Sequence, residues 1–123
     1  MLQKRIILMG LLVIFIAGTL SPLFGQGVKV GSFTLPRDVE HSGKTIPQGV
    51  YQLSIETRDE DTFICIWKDE EQLSKEMAII QEAKKNYPTP VIAVDVITQD
   101  KDQFVRIRVF MERKVYKAFY KCV

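Results

Sequence analysis

His41 is the only imidazole in the sequence, and the two cysteines, Cys65 and Cys122, stand far apart along it. Nucleophilic catalysis of the Ser-His-Asp or Cys-His kind needs a base that an orienting partner holds in place. Glu40-His41-Ser42 is turn-like, so His41 reads as a solvated loop residue. A zinc site takes three or four His, Cys or carboxylate ligands at suitable spacing, which one histidine and two distant cysteines do not supply. Asp59-Glu60-Asp61 and Asp100-Lys101-Asp102 lack the glycine and distal glutamate of a calcium loop and read as charged hairpin turns. The seven glycines are confined to the signal region and the entry turns that follow it and form no phosphate-cradling loop. No catalytic or metal residue is assigned on these grounds, and no cofactor is expected.

What remains is carboxylates, a charge pattern and two thiols. Fifteen acids leave a carboxylate-based hydrolase open. Asp95 draws the eye because Val94 and Val96 flank it in an apolar strand, yet a cross-strand pair with Arg106 or Arg108 explains it equally. From Glu56 to Glu76 eight acids face three bases, and from Lys101 to Lys121 seven bases face two acids. Arg106, Arg108, Lys117 and Lys121 alternate with apolar residues. They are the candidate face for an anionic envelope polymer, a lipid headgroup or an acidic protein, set against a plain solvated sheet face that discourages edge pairing. Lys84, Lys85 and Tyr87, just before Pro88 and Pro90, form a candidate contact loop. Cys65 and Cys122 are the candidate disulfide of an exported domain. Closing that loop would stabilise by about 4 kcal/mol in the chain-entropy model.

Export is read from the N-terminus. Met1 to Arg5 is short and basic, Ile6 to Gly18 has no polar side chain, and Thr19, Ser21 and Pro22 end the run. This is the anatomy of a secretory signal peptide over residues 1–25, with cleavage after Gly25 or Gly27. Thirteen helical residues span about 20 Å, short of a hydrocarbon core of about 30 Å. The alternative is an uncleaved helix that anchors the domain to a membrane through this segment alone. Without Lys4 and Arg5 the 17 basic residues fall to fifteen, equal to the 15 acids. A neutral domain argues against nucleic acid as a partner.

Residues 26–123 suffice for one core, and their dominant period is two. Tyr51, Leu53 and Ile55 alternate with polar neighbours, and Phe63 to Trp67 follows as a second strand after an acidic turn. Lys75 to Glu82 is expected as a strand, although Leu73, Met77 and Ile80 also have helical spacing. Val91 to Thr98, Phe104 to Met111 and Val115 to Cys122 complete the set, separated by turns at Gln99–Asp102 and Glu112–Lys114. Six or seven strands make an all-β antiparallel sandwich or small barrel. Gly43-Lys44-Thr45-Ile46-Pro47-Gln48-Gly49-Val50-Tyr51-Gln52-Leu53 resembles the G-K-T-x-P-x-G-x-Y-x-L signature of small exported bacterial β-domains of unassigned function. Its latter half is similar to the same stretch of transthyretin-like and carboxypeptidase-regulatory-like sandwich modules. The resemblance implies a fold class and transfers no activity.

The sequence therefore predicts a non-enzymatic β-domain, periplasmic or secreted, that binds a component of the bacterial envelope or is a structural part of it. A small carrier barrel is the first alternative, with Met77, Ile79, Val94 and Tyr51 lining an apolar cavity. The carboxylate hydrolase is the other.

Overall fold

The computed structural model describes residues 27–123, and the leader expected over residues 1–25 lies outside them. Eight strands form: β1 (Gly27–Leu35), β2 (Val39–His41), β3 (Lys44–Ile46), β4 (Gly49–Arg58), β5 (Asp61–Lys68), β6 (Glu71–Met77), β7 (Ile79–Gln99) and β8 (Asp102–Cys122). They pair into two antiparallel four-stranded sheets, ordered β1-β4-β5-β6 and β3-β2-β8-β7. Both sheets bury one face, so the period-two pattern maps onto an all-β sandwich.

Tight turns fix the registers. Ser42 and Gly43 join β2 to β3 with φ of 52° and 80°, and Asp100 and Lys101 join β7 to β8 with φ of 52° and 74°. Two consecutive positive φ values match the twist of the flanking strands, which is why such turns favour short hairpins. The residues of the G-K-T-x-P-x-G-x-Y-x-L stretch build the corner from one sheet to the other. Tyr51 donates its hydroxyl to the Pro47 carbonyl at 2.5 Å, and the Gln48 N–H donates to Asp38 Oδ1 at 2.8 Å.

Alternate residues fill the interior. Leu53 and Ile55 of β4, Ile64 and Ile66 of β5, and Val105, Ile107 and Val109 of β8 meet Phe33, Leu35, Val39, Ile46, Ala118 and Tyr120. Burying each large aliphatic side chain contributes about 1.5–3 kcal/mol. A fully buried polar contact crosses this interior, between Ser74 Oγ of β6 and the Tyr120 hydroxyl of β8 at 3.1 Å. Burial pushes the Tyr120 phenol well above its ordinary pKa, so it stays neutral. β1 carries a bulge between Lys29 and Gly31, and Gly31 takes a φ of 150° that side-chain-bearing residues rarely adopt.

Several expectations are corrected. The strand expected over Lys75–Glu82 is split at Ala78, whose N–H donates to the Thr62 carbonyl at 2.8 Å as the chain passes from one sheet to the other. The contact loop of Lys84, Lys85 and Tyr87 is no loop. It is extended backbone inside the 21-residue β7, where register shifts on either side of Tyr87 absorb the extra residues. Pro88 and Pro90 are tolerated because β7 is an edge strand, so a missing N–H on the open side costs no ladder bond. The turn expected at Glu112–Lys114 is likewise a kink within β8, with Glu112 at φ 56°.

The Cys65–Cys122 bridge is not formed, and both residues are free thiols. Alternation explains it. Ile64 and Ile66 point into the sandwich, so Cys65 points outward from the first sheet, whereas Cys122 packs against the core from the second. The side chains that would line a carrier cavity also separate. Tyr51 is buried and Val94 packs on the core, while Met77 and Ile79 are exposed.

Candidate functional site

Two outward faces carry polar and aromatic groups in organised arrangements. The first lies on the sheet β3-β2-β8-β7. Because Val105, Ile107 and Val109 point inward, Arg106, Arg108 and Phe110 point outward. Register places Asp95 of β7 opposite Arg106 and Ala93 opposite Arg108. Arg106 donates from Nε and Nη2 to the two Asp95 carboxylate oxygens at 3.0 and 2.5 Å. Arg108 Nη2 stands 3.7 Å from the same carboxylate. The hydrogen bond from Arg106 holds the Asp95 carboxyl below the usual carboxylate range, with the charges of Arg106 and Arg108 acting in the same direction. An acid so stabilised as its anion cannot donate a proton at neutral pH, so Asp95 has the wrong character for a general acid.

The aromatic part of this face continues from Arg108. Its guanidinium carbon lies 5.7 Å from the Phe110 ring centroid, the Phe110 and Tyr87 rings are 5.1 Å apart, and Lys85 Nζ stands 5.2 Å from the Tyr87 centroid. Arg108 Nε is buried and has no hydrogen-bond partner among the described residues. The result is a ladder of Lys85, Tyr87, Phe110, Arg108, Asp95 and Arg106 running across two strands. Register shifts in β7 make it possible, since they bring Tyr87 beside Glu112 and next to Phe110. The two sequence-level candidates, Arg106 with Arg108 and Lys85 with Tyr87, are thus parts of one surface. Lys84 is exposed on the same strand.

Lys117 and Lys121 also point outward, because Ala118 and Tyr120 point in beyond the kink at Glu112. They do not join the arginines in a patch. Fifteen residues of strand separate Arg106 from Lys121, on the order of 50 Å along the chain, and Lys121 stands opposite Glu40. The four-residue basic face is a line along a bent strand rather than a cluster.

The second organised face is on the other sheet and escaped the sequence reading. Trp67, Gln52, Ser54, Gln72, Lys75 and Lys29 line a trough of about 550 Å³ on the outside of β1-β4-β5-β6. The Trp67 indole N–H donates to Ser54 Oγ at 2.8 Å, which pins the ring. Glu56 gathers Arg58 Nη2 at 3.3 Å and Lys75 Nζ at 3.6 Å, with the Cys65 sulfur 3.7 Å from its other oxygen. Burial first, and the Glu56 charge second, raise the Cys65 thiol pKa, so the sulfur is a covered thiol without nucleophilic character. The signal that could have exposed this face is alternation: Cys65 and Trp67 fall out of phase with Ile64 and Ile66.

His41 is not a loop residue. It sits in β2, and its Nδ1 lies 3.4 Å from Glu76 Oε1 of β6, so it spans the two sheets. Among the described residues no group of three His, Cys, Asp or Glu side chains converges to hold a metal ion. No family model, curated protein or solved structure matches the chain.

Proposed function

We propose that this protein is a non-enzymatic binding module of the bacterial envelope, working outside the cytoplasm, and that it holds an anionic polymer on the outer face of β7 and β8. The observation that carries the reading is the ladder from Lys85 through Tyr87 and Phe110 to Arg108. Cations interleaved with aromatic rings suit a chain that presents negative groups between flat apolar surfaces. The leader-like segment at residues 1–25 supports the location, and the run of bases from Lys101 to Lys121 supports the sign of the partner.

Titration calorimetry of the protein with polygalacturonate, at several salt concentrations, tests it. Binding is expected to weaken as salt rises, because the charges are at the surface. The double variant Lys85→Glu/Arg108→Glu is expected to bind at least about tenfold more weakly. Equal affinity in the reversed protein removes the ladder from the argument.

A further inference from the structure

The trough on the opposite sheet has a different chemistry, and we infer that it is a second binding site, for an uncharged oligosaccharide. Its volume of about 550 Å³ lies within the usual range of about 300–1,000 Å³ for small-molecule sites. Its charges balance: Lys29, Arg58 and Lys75 stand against Glu56, Asp69 and Glu70. A lining with no net charge of its own does not favour an ion of either sign, but it offers charge-assisted donors and acceptors side by side. A sugar hydroxyl both donates and accepts, so it can use each kind at once. The amides of Gln52 and Gln72 add the same pairing in neutral form.

Trp67 supplies the remaining requirement. Its indole is fixed through the Ser54 hydroxyl, and a fixed ring binds without losing freedom of its own. Trp67 and Gln52 also line a neighbouring hollow of about 430 Å³ with Lys68 and Asp69. One aromatic residue flanked by two hollows fits a chain of sugar rings better than a single ring. This site stands independently of the anionic-polymer surface, because the two lie on the outer faces of different sheets.

Trp67 is the only tryptophan, so its fluorescence reports on the site directly. The full chain is titrated with cellohexaose, maltohexaose, chitohexaose and mannohexaose. At least one is expected to change the emission saturably, with little dependence on salt. Gln52→Ala/Gln72→Ala, which leaves the indole in place, is expected to weaken that binding at least about tenfold. Trp67→Ala, followed by calorimetry, is expected to abolish it, and if the alanine variant does not fold, Trp67→Phe, which keeps a smaller ring but loses the donor to Ser54, is expected to weaken it several-fold. Lys85→Glu/Arg108→Glu is expected to leave it unchanged. The inference is overturned if none of the four sugars alters the emission at millimolar concentration. It is equally overturned if binding survives the glutamine substitutions at full strength.

Discussion

The two sheets share an interior and differ in what they turn outward. Inside, β4 and β5 contribute Leu53, Ile55, Ile64 and Ile66, and β8 contributes Val105, Ile107 and Val109, all buried. Outside, the first sheet has acidic turns and a trough in which opposite charges cancel around Trp67. The second has a line of cations and rings in which one carboxylate, Asp95, holds two arginines. An interior selected for shape alone leaves each outer face free to take its own chemistry, and strand alternation keeps the two sets of residues from interfering.

Truncation inside the sandwich tests the shared half of this comparison. Leu53→Ala in the first sheet and Ile107→Ala in the second are each expected to cost about 2–5 kcal/mol, read as the loss of unfolding free energy in urea. A near-neutral result in one sheet would show that the sheets are not equal partners in the core. Thiol reactivity separates the two faces next. Cys65 is fully buried and Cys122 partly exposed. A disulfide reagent should therefore label Cys122 at least about a hundredfold faster, since Cys65 reacts only after local opening. Comparable rates would place Cys65 nearer to solvent than the fold allows.

The link between the sheets comes third. Tyr120→Phe removes the partner of the buried Ser74 hydroxyl and is expected to cost about 1–2 kcal/mol by denaturant titration. A Tyr120→Phe/Ser74→Ala double variant should recover part of it.

Asp95 gives the smallest effect and the most specific one. Its carboxyl titrates lower in the folded protein than in the unfolded chain. The stabilisation is therefore complete above the ordinary aspartate value, near 3.9, and is lost as the pH falls below it through the folded value. The side chains of Arg106 and Asp95 are 26% and 39% exposed, so solvent screening keeps the contribution under about 1 kcal/mol. Asp95→Asn should remove this acid dependence, measured as stability between pH 6 and 2, while tightening polygalacturonate binding by leaving two arginines unneutralised. Weaker binding would mean that Asp95 serves to orient the arginines.

Much of this was legible in the chain. Alternation at Tyr51–Ile55 and at Phe104–Met111 identifies half-buried strands, and Asp100-Lys101 turns within the expected Gln99–Asp102 segment. The cross-strand partnership of Asp95 with Arg106 and Arg108 was legible as well. Misreadings arose where a local signal was outweighed by position in the sheet. Pro88 and Pro90 suggest a loop, and the edge location of β7 together with the register shift between Tyr87 and Val91 makes them acceptable in a strand. The Tyr87–Phe110 contact and the trough around Trp67 depend on register across neighbouring strands, which no single segment encodes. The disulfide failed for a related reason, because compartment and spacing say nothing about which way a strand points Cys65.

The position of β8 between β2 and β7 has a consequence for the order of assembly. During synthesis, every strand of the first sheet is available once Met77 has emerged. At that point the second sheet has only the hairpin of β2 and β3, and β7, which follows, has no neighbour until β8, the last strand to be made, joins them. The β7–β8 hairpin closes through a two-residue turn and can zip locally. The pairing of Val39 and Glu40 with Cys122 and Lys121 must instead close a loop of about eighty residues, whose entropic cost precedes its reward. That pairing is expected to form late, so a chain lacking its final strand keeps half of a sandwich with its apolar interior open to other chains.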